Sequence, residues 1–523
     1  MRYVLPLLVT VLGVYTSAFA SCGTRTQYEP EDSAYYFDLN QGNIVQDKYS
    51  FDELYATEVL DELDYESDVH GIWHDENYVY LTHADFIEDL NYMLYVLENN
   101  FSLFDVAYWA RGVDIYALAE NAMGEVLANP YLDVDEFFMI LLESFRPLSG
   151  IGHFSFVNPS SFDFFNSSNA GIHGSGVMRL RSPRAAAFYE PRRDIPISDR
   201  ELMAFFSCRH VDVMADTLKW HGETDLAKEI YQAFEDGDAV RFMQIARYER
   251  NLRDEAPFAV KRSLVEGKIA FLAIDDFWPS FAPHPGGIRD LQIQDFFEEI
   301  NGYEHLIIDL RRNRGGFYSF FLDYIMRLNI DSRVRLYSYV FLRYGEYAAP
   351  IVENLGSIGG HGPGSFLFNA HGEDLTPVED MLLNLDLQEL NMDDMQRMDY
   401  GFRASVSVSP RRLSRFDYQP AFTGNIWMLT GPGMASASQI SAWIAKESGF
   451  ATLVGDITGG VFGGTRTIAT LPNTGIAFQM DLFYMTDGYG RPFEAGTIPH
   501  YFNRERMCAL ETVLAMIEEM SGN

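Results

Sequence analysis

The sequence predicts an α/β protein in which a helical domain precedes a sheet that carries helices. Two patterns lead to this prediction. From His83 to Phe145, apolar residues recur at the i, i+3, i+4 spacing of amphipathic helices. From Lys268 onward, short apolar strands alternate with helices, and His305–Leu310 is apolar enough to be covered on both faces. The chain of 523 residues, 47% of them hydrophobic, is long enough for two or three domains.

The charge and the cysteine content exclude several classes of protein. A formal net charge of -36 argues against a nucleic-acid-binding face and against electrostatic attachment to anionic lipid. With 3 cysteines the chain has no disulfide framework, and none of them has the Cys-x-x-Cys spacing of a zinc site. A bridge between Cys208 and Cys508 is left open. We therefore expect neither a metal nor a nucleotide.

The N-terminus has the layout of a signal peptide, which we assign to residues 1–21. Arg2 precedes an apolar run from Tyr3 to about Tyr15, and small residues follow it. Ala18 and Ala20 would direct cleavage after Ala20, whereas Cys22 resembles the acceptor cysteine of a bacterial lipoprotein. We expect an exported protein, whether periplasmic, outer-membrane lipoprotein or extracellular. Membrane attachment through a lipidated Cys22 and free secretion both stay open.

The rest of the chain divides by composition and periodicity. Residues 330–422 read as an insertion over the sheet, and whether a lid formed by residues 356–398 closes is open. The predicted units are an acidic segment 22–82, a helical domain 83–152, an irregular or helical linking region 153–262, a core 263–502 and a C-terminal helix 503–523.

Three short stretches carry side chains suited to chemistry. Ser436 follows the strand Asn425–Thr430 and a Gly-rich turn, and it precedes a helix whose N–H groups would point at a bound oxyanion. The plainer interpretation is a serine that caps the helix. Gly315 and Gly316 follow the strand 305–310, where glycine permits close approach of a ligand. His153 stands between a Gly-x-Gly turn and the strand Phe154–Val157.

In this order the motifs resemble the C-terminal-processing, or tail-specific, serine peptidase family. The family's Asp-Leu-Arg-x-Asn-x-Gly-Gly is complete at 309–316, and its Ser-Ala-x-Glu appears at 436–439 with Gln439 in place of glutamate. The resemblance implies a crotonase/ClpP-like ββα core, a serine-type peptidase without a cofactor, and peptide or protein substrates. It implies an oxyanion hole from Gly315 or Gly316 together with Ala437. No PDZ-like module is recognisable, and the oligomeric state is unknown.

The resemblance also selects the branch of the family. One branch uses a Ser–Lys dyad, but no lysine follows Lys446, and Lys446 would lie about 15 Å from Ser436 along a continuous helix. The tricorn-like branch uses a histidine and a glutamate, whose order here implies His153 as general base and Glu494 as the carboxylate that orients it. The alternative is a catalytically silent protein that binds an apolar ligand or a peptide, as the retinoid-binding relative in this family does.

Overall fold

The computed structural model describes residues 70–72, 79–166, 182–195, 197–206, 208–255, 259–277, 293–316, 318–349, 375–410, 421–461 and 466–522. The predicted signal peptide, Cys22 and residues 356–374 of the predicted lid lie outside these residues. The helices are α1 His83–Asn100, α2 Phe104–Arg111, α3 Ile115–Ala128, α4 Val134–Ser144, α5 Phe162–Asn166, α6 Pro183–Tyr189, α7 Asp199–Ala204, α8 Cys208–Trp220, α9 Thr224–Glu235, α10 Ala239–Glu255, α11 Ile293–Glu299, α12 Tyr318–Phe321, α13 Arg327–Asn329, α14 Val378–Leu383, α15 Met392–Met395, α16 Ala437–Glu447 and α17 Ala509–Ser521.

The strands of the described residues form four sheets. The strands are β1 His70–Ile72, β2 Val79–Leu81, β3 Ser155–Phe156, β4 Ala259–Val265, β5 Ile269–Ile274, β6 His305–Asp309, β7 Val334–Leu342, β8 Thr376–Pro377, β9 Tyr400–Val408, β10 Asn425–Thr430, β11 Thr452–Gly455, β12 Arg466–Thr470, β13 Ala477–Asp481, β14 Phe483–Thr486 and β15 Tyr501–Phe502. The central sheet has the order β15-β11-β10-β6-β5-β4 and is parallel except for the pair β4 and β5. The predicted α/β class with N-terminal helices is confirmed.

The central sheet is covered on both faces, as the apolar strand 305–310 predicts. Every residue of β5 and β6 is buried. On one face α17 packs through Val513 and Ile517 against Ile307 and Trp427. Helix α16 covers the other face. Since β6 and β10 are neighbouring parallel strands, their carboxyl ends lie side by side.

The N-terminal helices share one hydrophobic core with the sheets. Asp133 caps α4 by accepting hydrogen bonds from the amides of Asp135 and Glu136. Apolar side chains from α1 and α4 then meet at Phe86 and Phe137, whose ring centroids are 4.6 Å apart. Since the same buried cluster continues into β13 and α16, the helical region and the core pack as one body. Within the described ranges, no helix combines the length and the low charge that a membrane-spanning segment needs.

A second cluster of buried apolar residues belongs to α7–α10, within the region 153–262 that the sequence assigned as irregular or helical. This helical cluster packs beside the turn that precedes Ser436, because a Cβ placed on Gly433 would lie 3.2 Å from Val213. It also reaches the loop after β6, where the Arg314 Nη2 atom lies 3.9 Å from the almost completely buried Glu249 carboxylate. The linking region therefore supports two loops of the core.

The insertion after residue 330 supplies part of a third sheet. Strands β7 and β9 pair over nine residues, and β14 and β8 extend them to a sheet of order β14-β7-β9-β8. The segment 377–398 contains two short helices, α14 and α15. The chain leaves α14 at Asn384, and Asn391 starts α15 by accepting a hydrogen bond from the Asp393 amide. The free thiol of Cys508 is exposed.

A fourth sheet, of order β12-β13-β3, is fastened to α1 by the buried carboxylate of Asp89. Asp89 accepts hydrogen bonds from the amides of Asn473 and Thr474 and from the Thr474 hydroxyl, at 2.6–2.9 Å. These residues form the turn between β12 and β13. Burial raises the pKa of Asp89 to about 6, although the Thr474 and Asn473 hydrogen bonds oppose the change.

The raised pKa of Asp89 should make the stability of the fold depend on pH. The pKa is higher in the folded than in the unfolded protein, so the contribution of Asp89 is present below about pH 4 and is lost as the pH rises through about 6. We expect the free energy of unfolding of the wild type, relative to Asp89→Asn, to fall by about 3 kcal/mol between about pH 4 and about pH 7. Denaturant unfolding of both proteins across this range measures the difference, and a difference that stays constant or rises would contradict the assignment.

Candidate active site

Ser436 lies at the sharp turn between β10 and α16. Its backbone has φ 54° and ψ -121°, a conformation that side-chain-bearing residues rarely adopt. The Ser436 amide donates a hydrogen bond to the Gly460 carbonyl at 3.0 Å, which helps to hold this conformation. The side chain does not cap the helix. The serine is thus presented at the start of α16 instead of closing it, which argues against the plainer interpretation.

The imidazole of His153, which is distant from Ser436 in the sequence, reaches this serine. Its Nε2 atom lies 3.2 Å from the Ser436 Oγ atom, although 283 residues separate the two. His153 also has a positive φ, of 51°, directly after Gly152. A Cβ on Gly152 would lie 2.4 Å from Leu103, so the turn that presents His153 requires glycine there. The structure brings Ser436 and His153 within hydrogen-bonding distance.

The carboxylate beside His153 belongs to Asp481. The His153 Nδ1 atom lies 2.7 Å from the Asp481 Oδ2 atom, and the Asp481 side chain is 0% exposed against 18% for His153. Strand β13 ends at Asp481, and it pairs with β3, which begins two residues after His153. In addition, the Asp481 amide donates to the Gly152 carbonyl at 2.8 Å. Sheet pairing therefore sets the geometry of this carboxylate and the imidazole.

This arrangement corrects the assignment of Glu494. The resemblance placed Glu494 behind His153, whereas Asp481 occupies that position. Glu494 is buried in the short 3-10 helix Phe493–Ala495, and its backbone lies beside Gly460, where an added Cβ would be 2.3 Å from the Glu494 carbonyl oxygen. The Gly460 carbonyl accepts a hydrogen bond from the Ser436 amide, so Glu494 packs against a residue that holds the serine turn in place.

The oxyanion-hole prediction changes at Gly315. Its amide already donates to the Asn313 Oδ1 atom at 2.8 Å, and its carbonyl accepts from Phe277 at 2.7 Å. Gly315 contributes space instead. A Cβ there would lie 2.9 Å from both the Ala437 nitrogen and the Ser436 Cβ. The remaining predicted donors are the amides of Gly316 and Ala437, the latter in the first turn of α16, where amides have no partner within the helix.

Asn313 joins the loop after β6 to the serine turn. Its amide nitrogen donates to the Ile274 carbonyl at 3.1 Å, and its own carbonyl accepts from the Ser438 hydroxyl at 2.5 Å. The side chain is fully buried. Together with the Gly315 contact, these bonds place the glycines of one loop against the nucleophile turn of the other.

The charged pair at the start of this motif is structural. Asp309 receives the Arg311 guanidinium in a bidentate contact of 2.9 and 2.8 Å. Burial alone would raise the pKa of Asp309, but the Arg311 charge outweighs it and lowers that pKa below the usual value. The pair thus holds the turn after β6.

Gln439, which departs from the family motif, is fully buried behind the serine. Its Nε2 atom donates to the Thr497 hydroxyl at 3.0 Å, and its Oε1 atom accepts from the Thr458 hydroxyl and from the Thr497 amide. A neutral amide satisfies donors and acceptors at once, so it replaces a carboxylate here without leaving a buried charge.

Comparison with known proteins finds a similarity over the core. A family model described as Peptidase family S41 matches residues 268–502. A search of curated proteins returned no match. Among solved structures, one from Parabacteroides merdae described as a peptidase candidate is 17% identical, with 84% of this chain and 97% of that chain covered and a TM-score of 0.42. The complex of mature CPAF with lactacystin is 13% identical over 84% and 97%, with a TM-score of 0.45. The photosystem II D1 C-terminal processing protease is 15% identical over 47% and 48%, with a TM-score of 0.26. Since these values are low, the assignment depends on the family model.

Proposed function

We propose that this chain, whose residues 268–502 match the model of peptidase family S41, is a serine-type peptidase that hydrolyses peptide bonds through an acyl-enzyme on Ser436. His153 acts as general base and Asp481 orients it. The single observation that carries the proposal is the continuous contact from Ser436 Oγ through the His153 ring to a fully buried carboxylate. Peptides or proteins are the substrate class that the family implies.

The geometry supports a definite tautomer of the imidazole. Asp481 accepts a hydrogen bond from Nδ1–H, which leaves the Nε2 lone pair facing the Ser436 hydroxyl. A serine hydroxyl is too weakly acidic to attack an amide unaided, so Nε2 removes its proton as Oγ attacks the peptide carbonyl. The imidazolium that results is stabilised by the Asp481 carboxylate.

The two halves of the reaction then use the same groups. The amides of Gly316 and Ala437 stabilise the negative oxygen of the tetrahedral intermediate. Nε2–H protonates the leaving amine, and the acyl group remains on Ser436 Oγ. Water enters, Nε2 takes one of its protons, and collapse of the second intermediate returns that proton to Oγ and releases the acid.

The alternative function is a catalytically silent binding protein, and the backbone of Ser436 favours the peptidase. A binding scaffold has no use for a serine at φ 54° whose hydroxyl faces an imidazole.

We also propose that the protein is exported. The proposal is supported by Arg2, the apolar run after it and the small residues before Cys22.

A fluorophosphonate probe tests the proposal, because it reacts with activated serines. We expect labelling of the wild type and none above background in Ser436→Ala or His153→Ala. Ser448→Ala, at the far end of α16, is the matched control and should be labelled like the wild type. Absence of labelling in a folded wild-type protein, or labelling that survives in Ser436→Ala, would overturn the peptidase assignment.

A further inference from the structure

The sheet that carries Asp481 also carries an arginine next to it. In the antiparallel pair of β12 and β13, Arg466 lies directly opposite Asp481. Residues opposite each other in such a pair point to the same face, with Cβ atoms about 4.5–5.5 Å apart. The Arg466 side chain therefore projects on the face of the sheet where Asp481 meets His153.

Arg466 has no protein partner among the residues that the structure describes. Its guanidinium makes no hydrogen bond and no ion pair within that part of the chain, although the side chain is only partly exposed. Other arginines near the site are paired, Arg311 with Asp309 and Arg312 with Asp275. Burial lowers the pKa of Arg466, while the Asp481 charge acts in the opposite direction. A half-buried cation that has no hydrogen-bonded partner among the described residues is suited to bind a carboxylate of a ligand.

The face around Arg466 is suited to contact a substrate. The opposite face of the sheet is core, where Phe478 packs against Phe154 and Phe156. On the Arg466 face, Gln479 and Ser155 are half-buried and polar, and the Gln479 Nε2 atom donates to the Ser155 Oγ atom at 2.7 Å. A substrate chain that extends from Ser436 past His153 would reach this polar face.

We propose that Arg466 binds a carboxylate of the peptide substrate beside the scissile bond and so makes the enzyme selective for acidic substrates. The planar guanidinium fits a carboxylate in a bidentate contact, which fixes its position as well as its charge. The carboxylate comes from an aspartate or glutamate side chain or from a free C-terminus. The inference rests on the proposed function, because it needs a peptide bound at Ser436.

The test compares matched peptides. A peptide library with free and amidated C-termini first locates the cleaved positions, and kcat/KM is then measured for a pair that differs only by glutamate or glutamine. We expect the wild type to prefer glutamate by about tenfold to a hundredfold, the range for a hydrogen bond to a charged group. In Arg466→Gln this ratio should fall to about one, and in Arg466→Glu a lysine peptide should become the best substrate. If the bound carboxylate is the free C-terminus, amidation of the peptide should lower kcat/KM in the wild type and leave kcat/KM of Arg466→Gln unchanged.

The control is Arg262→Gln, on the exposed edge strand β4, whose ratio should equal that of the wild type. An unchanged glutamate preference in Arg466→Gln overturns the inference. So does an equal loss on both peptides, which would make Arg466 only a support for Asp481. Failure of the peptidase itself looks different, because folded wild type would then neither cleave the library nor react with the fluorophosphonate probe.

Discussion

Asp481→Asn is expected to slow the reaction of Ser436 by about 10⁴-fold, the loss typical when the orienting carboxylate of a serine triad becomes an amide. An asparagine that donates to Nδ1 forces the ring proton onto Nε2. The base then faces the Ser436 hydroxyl with a proton where it needs a lone pair. The rate constant of fluorophosphonate labelling measures this loss, with thermal unfolding as the check that the variant is folded.

Glu494→Gln is the matched control for this experiment, because it makes the same acid-to-amide change at a second buried carboxylate. Glu494 contacts the serine turn through backbone next to Gly460 and does not hold the His153 ring, so the labelling rate should fall far less than in Asp481→Asn. Slow labelling in Glu494→Gln together with normal labelling in Asp481→Asn would restore Glu494 as the orienting group.

The second large effect is expected for Gly315→Ala. The new methyl group would lie 2.9 Å from the Ala437 nitrogen, in the space where that amide meets an oxyanion, and 2.7 Å from the Ala435 carbonyl oxygen. Loss of one oxyanion donor typically costs about 10² to 10³ in rate, and here the crowding also shifts the serine turn. We therefore expect labelling to slow by at least about 10²-fold.

Gly302→Ala separates crowding from backbone strain. Gly302 has φ 99°, against 100° for Gly315, but a Cβ there meets nothing within 4 Å. Both variants carry the strain of alanine at positive φ, so Gly302→Ala reports the effect of that strain without the crowding. Only Gly315→Ala should lose labelling. Equal labelling rates in the two variants would show that the space beside Ala437 is not used in the reaction.

The residues that the sequence identified best are those with a local signal. A glycine turn between an apolar strand and a helix predicts where Ser436 stands, and the same kind of turn before a strand singles out His153. Both signals depend only on residues adjacent in the sequence, so they can be recognised without knowledge of the fold. The strands 269–274, 305–310 and 425–430 were predictable for the same reason, since β5, β6 and β10 are apolar runs.

Asp481 was not predicted because its role depends on a pairing across 328 residues. Only the antiparallel register of β13 with β3 places it behind His153, and register between distant strands cannot be read from one sequence. A local signal did exist, since Asp481 is the one charged residue within the mainly apolar run Ile476–Tyr484. A buried acid in such a run needs a partner.

The role of Gly315 depends on a side chain in the same motif. The motif predicts a hydrogen-bond donor after β6, but the Gly315 amide donates to the Asn313 side chain. Gly315 therefore contributes the space beside the Ala437 amide instead of a donor. The linking region was assigned as irregular or helical, but the packing of the helical cluster α7–α10 was not predictable, because the sheet determines the positions of the loops beside it.

The position of a covalent adduct tests the central claim most directly. After reaction of the wild type with a fluorophosphonate, proteolysis and mass spectrometry should find the phosphonyl group on Ser436 alone. The neighbouring Ser438, whose hydroxyl donates to backbone carbonyls, should stay unmodified in the same peptide. An adduct on another residue of a folded protein, with Ser436 intact, would contradict the account.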